Sequence, residues 1–308
     1  MPSWVGRQRP VIQALLRGQP YGPDGSGTGV AEAVPIHDNH FHCAPDGHLG
    51  LEAAKRFQAA GGTSIAHVLL PSYPTSAQAF ERSARDHATF SQKIRDETGL
   101  TVWTAVGPYP LEPLKLAETL GWDAAEQYGR ACFDIAGRLV EEGLAHCIGE
   151  VGRPHFDVDD EAWSRSNALL EYGMAVAKDA GAPIMLHTEH TEPATMREFA
   201  EMADRAGLAR DRVIKHYCGP LVASEEHHGL VPSVIAGRSN IRKALAKDHQ
   251  GRFLLETDYI DSPERPNVVM PCDTVPKRVK GLMQSGEIDD ATAWSIGQEM
   301  PQRLYGAP

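Results

Sequence analysis

From Val34 onward the chain alternates short, nearly all-apolar runs with longer amphipathic ones. The apolar runs are Val34–His42, Ser64–Pro71, Thr101–Gly107, Ala145–Glu150, Pro183–His187, Arg212–His216, Leu230–Ile235 and Phe253–Asp258. Strands of a parallel sheet buried on both faces read this way, because neither face needs polar residues. Between them lie helix-length segments: Leu51–Ala60, Ala77–Thr98, Ala124–Glu142, Glu161–Ala180, Pro193–Ala206 and Asn240–His249. In Glu161–Ala180, Leu170, Met174 and Ala177 recur at i, i+4 and i+7 and form one apolar stripe. Asp159 or Asp160 can cap its start, and Gly181 suits its left-handed stop. The sixth connection, Tyr217–Gly229, is short and carries the weakest helical pattern. Two further amphipathic segments, Val275–Gln284 and Asp290–Leu304, finish the chain.

Eight such units predict a single (β/α)8 TIM barrel of the α/β class over residues 34–308. Residues 1–33 read as an N-terminal extension, in which Val11–Leu16 could begin a short helix and Gly18–Gly29 is rich in loop residues. A barrel of this kind places its site at the C-terminal ends of the strands. The last residues of each apolar run therefore matter most. The first ends in His40-Phe41-His42, and two residues apart on a strand point to the same face. The fourth ends in Glu150, the fifth in His187, the sixth in His216 and the eighth in Asp258. A histidine at one strand end is more often structural than metal-binding. Six nitrogen and carboxylate donors on five strand ends are much harder to obtain by accident, and they suit Zn²⁺, Mn²⁺ or Mg²⁺. One tetrahedral ion needs fewer. The set matches two ions roughly 3.5–4 Å apart and bridged by a carboxylate, and Glu150 lies between the first strand and strands five and six.

Composition narrows the reading. With 30 Lys and Arg against 41 Asp and Glu, the formal charge is −11, which disfavours an extended nucleic-acid or anionic-membrane surface. A small molecule or a strand end in a local metal pocket stays compatible with it. Five cysteines without a Cys-x-x-Cys fit free thiols and a cytoplasmic location. No apolar run at the start has signal-peptide or membrane-span length. Oligomeric state is not legible at this level.

The pieces Asp38-Asn39-His40-Phe41-His42, Ile148-Gly149-Glu150-Val151-Gly152, Leu186-His187, His216, Leu255-Glu256-Thr257-Asp258 and Arg303-Leu304-Tyr305-Gly306 occur in the order found in a known family. From Asp38 to about Tyr305 the chain resembles the TatD-like metal-dependent hydrolases of the amidohydrolase superfamily. The resemblance implies that His40, His42 and Asp258 hold one ion, that His187 and His216 hold the other, and that Glu150 is shared. It also implies phosphodiester cleavage of the DNase kind, with more distant relatives acting on lactones, amides and phosphotriesters. The chain departs from the nuclease pattern beside the ligands. Thr188-Glu189 stands where a Ser/Thr–Arg pair is usual, Gly152-Arg153-Pro154 replaces Gly-Leu-Asp, and His216-Tyr217-Cys218 replaces His-Cys-Phe.

Arg153, His155, Glu189 and His190 lie in the rim loops and are candidates for substrate contacts, Glu189 favouring a neutral or cationic group. Lys215, next to His216, should point away from the centre, and Asp38 and Glu256 should sit one layer deeper than their neighbouring ligands. The expected chemistry is hydrolysis by a metal-activated hydroxide, with Asp258 and Glu150 as the catalytic carboxylates. Phosphodiesters rank first as substrates, and lactones, esters, amides or phosphotriesters second. The competing readings are a metal-binding barrel with a decayed site, which would have lost ligands, and a metal-independent acid–base enzyme, which would resist chelators.

Overall fold

The computed structural model describes residues 34–266 and 268–306; the extension 1–33, with its expected short helix and loop, lies outside them. Among the described residues nine strands follow one another: β1 His37–His42, β2 Ser64–Val68, β3 Thr101–Val106, β4 Cys147–Gly152, β5 Ile184–His187, β6 Val213–Lys215, β7 Val231–Ile235, β8 Leu254–Glu256 and β9 Tyr259–Ile260. Their order in the sheet is β8-β7-β6-β5-β4-β3-β2-β1-β9, and the neighbouring pairs run parallel. Sequential parallel strands separated by helices are the (β/α)8 TIM barrel expected from the apolar runs.

The ring closes through its last strand. β8 pairs with β7 and β9 pairs with β1, so β8 and β9 are two halves of one strand broken at Thr257-Asp258. Asp258 has φ 49°, a left-handed conformation that aspartate tolerates better than most residues. Asp38 pins the break from β1: its carboxylate accepts from Thr257 N at 2.9 Å and from Thr257 Oγ1 at 2.6 Å. Asp261 ties the far side, accepting from the backbone of Leu49 and Gly50 at 2.7 Å each. The sequence shows neither the interruption nor its clamps.

Side chains alternate as the strand period requires. Ala66 and Val68, Trp103 and Ala105, Met185, Ile214 and Leu254 fill the interior with Met300, Leu304 and Tyr305 of the last helix. The outward positions of β4 to β6, Ile148, Val151, Ile184, Leu186 and Val213, pack against the surrounding helices; a register shift in β4 between Ile148 and Val151 puts both on that side and turns Glu150 inward. Six of the expected helices recur within two residues of their expected ends, as do the two final segments. Two details differ. A helix at Leu111–Leu120 precedes Trp122–Glu141, and the sixth connection holds one helical turn, Ser224–His227. Among the described residues no helix is long and apolar enough to cross a membrane.

Candidate metal centre

All six strand-end candidates meet at one point on the C-terminal side of the ring. His40 and His42 project inward from β1 with their Nε2 atoms 2.9 Å apart. Asp258 Oδ1, delivered by the broken strand, lies 3.9 Å from both. Glu150 projects from β4 between the two halves of the centre. Its Oε1 is 3.6 Å from His42 Nε2, while its Oε2 is 3.4 Å from His40 Nε2 and 2.9 Å from His187 Nδ1. His216 stacks on His40 with ring centres 3.7 Å apart. The donors fall into compact groups within 4.8 Å: His40, His42 and Asp258; Glu150, His187 and His216; and a deeper set of His40, His216 and Glu256.

Local structure explains the placement. Gly152 is required where β4 passes β5, because a Cβ there would lie 1.8 Å from the carbonyl oxygen of His187. The His42 ring is fixed by its Nδ1–H, which donates to Val68 O at 3.0 Å and leaves the Nε2 lone pair aimed at the centre. Glu256 sits one layer below, accepting from Tyr217 N at 2.8 Å and from Ser233 Oγ. Its Oε1 lies 2.9 Å from His216 Nδ1, outside hydrogen-bond alignment.

Burial sets the charge states. It lowers His40 and His216 below the ordinary histidine range and His42 to about 4, so the imidazoles are neutral with lone pairs available. Burial opposes ionisation of Glu150, but the neighbouring His187 and His40 hold its carboxyl well below the usual range. Asp258 is pushed well up, by burial and then by the charge of Glu150. Two imidazole nitrogens 2.9 Å apart, ringed by two carboxylates, are an awkward arrangement for protons alone. Nδ1 of His40 and of His216 also find no hydrogen-bond partner. Nitrogen and oxygen donors converging in this way fit divalent cations, whose charge would also reverse the shift on Asp258.

A family model for TatD related DNases matches residues 37–306. An uncharacterized protein of Methanocaldococcus jannaschii, MJ1127, is 34% identical over 282 residues, covering 90% of this chain and 97% of that one. This chain belongs to the TatD related DNase family. It is a TatD-family hydrolase whose clustered donors can bind metal ions. Solved structures of similar fold include the TatD-like protein of Archaeoglobus fulgidus (15% identity, TM-score 0.59, 88% of this chain and 100% of that one). The organophosphorus hydrolase of Deinococcus radiodurans is another (16% identity, TM-score 0.62, 89% and 93%).

The rim of this TatD-family barrel differs from the expected one. Arg153 does not face the mouth. It is 1% exposed and stacks between Trp163 and Phe199, at 4.3 and 4.6 Å from their ring centres. All five of its donors are used: Nε and Nη2 on Glu189, Nη1 and Nη2 on Glu198 at 2.7 and 2.9 Å, and Nη1 on Asn167 at 2.8 Å. Glu189 is correspondingly turned to Arg153 and is not a free acid facing substrate. The sequence places Arg153 and its two glutamates 36 and 45 residues apart, so their pairing was hidden. His155 is at the mouth, its Nδ1 3.2 Å from His187 Nε2, whereas His190 is exposed without a side-chain hydrogen bond among the described residues. Lys215 faces away from the centre as alternation requires, and its amine donates to the carbonyl of His216. The residue missed was Tyr109, whose hydroxyl is 3.4 Å from His187 Nε2. It lies three residues past β3, and reading strand ends for aromatic hydroxyls as well as metal donors would have found it.

Proposed function

We propose that the barrel is a two-metal hydrolase of small, uncharged esters, with lactones and carboxylic esters as the substrate class. The bridging pose of Glu150 carries the metal part of this reading. One of its oxygens faces His42 and the other faces His40 and His187, so the carboxylate touches both donor groups, which supports a shared ligand. His40, His42 and Asp258 would hold one ion and His187 and His216 the other. Ions bound there supply Lewis acidity and, at neutral pH, a hydroxide nucleophile. The side chains supply the remainder. The neutral imidazoles of His40, His42 and His216 keep their lone pairs in place, and Asp258 accepts the nucleophile's proton at its carboxylate and returns it to the leaving oxygen.

The substrate class follows from charge. The loops after β4 and β5 carry Asp157, Asp159, Glu189 and Glu192 against the histidines His155 and His190 and a single arginine, Arg153, and that arginine is consumed by Glu189 and Glu198. No arginine or lysine is left free in these two loops to add to the ions in holding a phosphodiester anion. A second reading, phosphodiester cleavage, is favoured by the family description. Elemental analysis of the wild type and Glu150→Ala tests the centre, with about two metal equivalents expected to fall sharply in the variant. A panel of lactones, esters and phosphodiesters, assayed with the metal found, then tests the substrate class. Cleavage of phosphodiesters alone would overturn it.

A further inference from the structure

The mouth of the barrel is lined by aromatic rings that pass directly into the candidate ligands. Tyr73, in the loop after β2, meets Tyr109 at 6.3 Å between ring centres, and Tyr109 meets His187 at 5.2 Å. His187 meets His155 at 5.1 Å, and His155 meets Phe156 at 5.4 Å. On the other side His187 stacks towards His216 at 5.6 Å, and His216 meets Tyr217 at 5.8 Å. The rings therefore form one branched arc, whose three arms meet at His187. Tyr73, Phe156 and Tyr217 are 41%, 48% and 53% exposed. Exposed large apolar side chains grouped beside a polar centre mark a binding surface more often than isolated ones do.

The backbone repeats the point. Tyr73 and Tyr217 hold φ of 49° and 54°, the left-handed region that costs a bulky residue roughly 1–2 kcal/mol. Two loops thus keep a strained backbone and an exposed ring at the same residue, and both rings belong to the arc. The basic group in contact with the arc is at its outer end. Lys115 Nζ lies 4.9 Å from the centre of the Tyr73 ring, two rings away from His187.

We infer that the arc is a stacking collar for a planar apolar substituent on the substrate, so the preferred substrates are aryl-bearing uncharged esters. This rests on the hydrolase reading above and adds a substrate subclass to it. Offset or edge contacts with such rings contribute a few-fold to about tenfold per ring, and uncharged aromatic groups lose little on leaving water.

The test compares γ-phenyl-γ-butyrolactone with γ-methyl-γ-butyrolactone as substrates of the metal-loaded protein. Alongside, binding of the non-hydrolysable ether 2-phenyltetrahydrofuran is followed by ligand-observed NMR. The expected result is a kcat/KM ratio of aryl to methyl lactone of about 10 or more, reduced roughly 3- to 10-fold by Phe156→Ala and by Tyr217→Ala. The ether should bind the wild type and lose affinity in the same two variants. Leu144→Ser, at an exposed apolar residue ahead of β4 and so at the opposite end of the barrel, controls for general loss of apolar surface and should leave the ratio unchanged. Hydrolysis of both lactones with a ratio near one, indifferent to both variants, would overturn the collar while leaving the hydrolase intact. Aryl ether binding that depends on Phe156 and Tyr217 without hydrolysis of any lactone would keep the collar and overturn the reaction class. Preference for a thymidine aryl phosphodiester over the aryl lactone would overturn the uncharged class.

Discussion

Two buried polar clusters sit side by side at the ends of β4 and β5, and they are built on opposite principles. Around Arg153 every donor has an acceptor. Five N–H groups meet two carboxylates and an amide, and two aromatic faces cover the guanidinium. Around Glu150 the lone pairs outnumber the hydrogens. Two Nε2 atoms stand 2.9 Å apart, four imidazoles are held inward, and two ring nitrogens lack partners. The first cluster is complete without any ligand and reads as scaffold. The second leaves donors that can take up a cation. Position at the rim of the barrel does not separate the two, because Glu150 and Arg153 are three residues apart; the balance of donors and acceptors does.

The sharpest way to break the contrast is to remove its pivot. In Glu150→Ala the two halves of the centre lose their shared anion. Bound metal should fall from about two equivalents to a fraction of one, and kcat/KM should fall beyond the about 10–100-fold that loss of an outer partner costs. Elemental analysis and steady-state kinetics give both numbers. Retained metal would mean that Glu150 is not the bridge. The scaffold cluster should respond in the opposite currency. Glu189→Ala with Glu198→Ala strands a buried guanidinium, which costs about 3–5 kcal/mol and should lower Tm by roughly 10 °C, with metal content per folded chain unchanged. Arg153→Met should cost less, because the two carboxylates left behind are 25% and 47% exposed and can turn to water. A larger loss in Arg153→Met than in the glutamate double variant, which keeps the guanidinium on Trp163 and Phe199, would show that packing, and not charge pairing, is what Arg153 contributes.

What was legible in the sequence follows from how far apart the informative residues lie. Strands announced themselves through local apolar runs, and every ligand candidate ended such a run, so fold and donor set could be read from neighbours in the chain. The helix Leu111–Leu120 was hidden by Pro110 and Pro113, which interrupt a helical pattern. Both fall at the helix start, where a missing N–H costs nothing. The break in the last strand was invisible because its clamp, Asp38 on Thr257, spans 219 residues. Arg153 looked free for the same reason.

A smaller effect separates histidines that serve the centre from those that serve the fold. Burial lowers His37 and His87, neither of them at the centre, from 6.5 to about 4. Between those pH values the unfolded chain binds protons that the folded chain refuses. Stability is therefore full above about pH 6.5 and is lost as pH falls, by up to about 1.4 kcal/mol per pH unit for each such group. Metal-free Glu150→Ala should still show this acid limb in Tm between pH 7 and 5, and His87→Gln should make it shallower. A flat profile in metal-free protein would assign acid sensitivity to metal release alone.

The finest division runs through His187 itself, which belongs to the centre on one side and to the aromatic rim on the other. Its Nδ1 is 2.9 Å from Glu150, while its Nε2 is 3.4 Å from Tyr109 and 3.2 Å from His155. If Nδ1 is to present a lone pair, the proton must sit on Nε2, and Tyr109 oxygen and His155 Nδ1 are the acceptors in reach. Tyr109→Phe and His155→Ala each remove one acceptor, so each should weaken metal affinity only modestly. Removing both should cost about tenfold, read by chelator competition and not by turnover. His190→Ala, at an exposed rim residue, should change affinity by less than about twofold. An undiminished affinity in the double variant would show that Glu150 alone orients the His187 ring, and the rim would then act on substrate without reaching the ions.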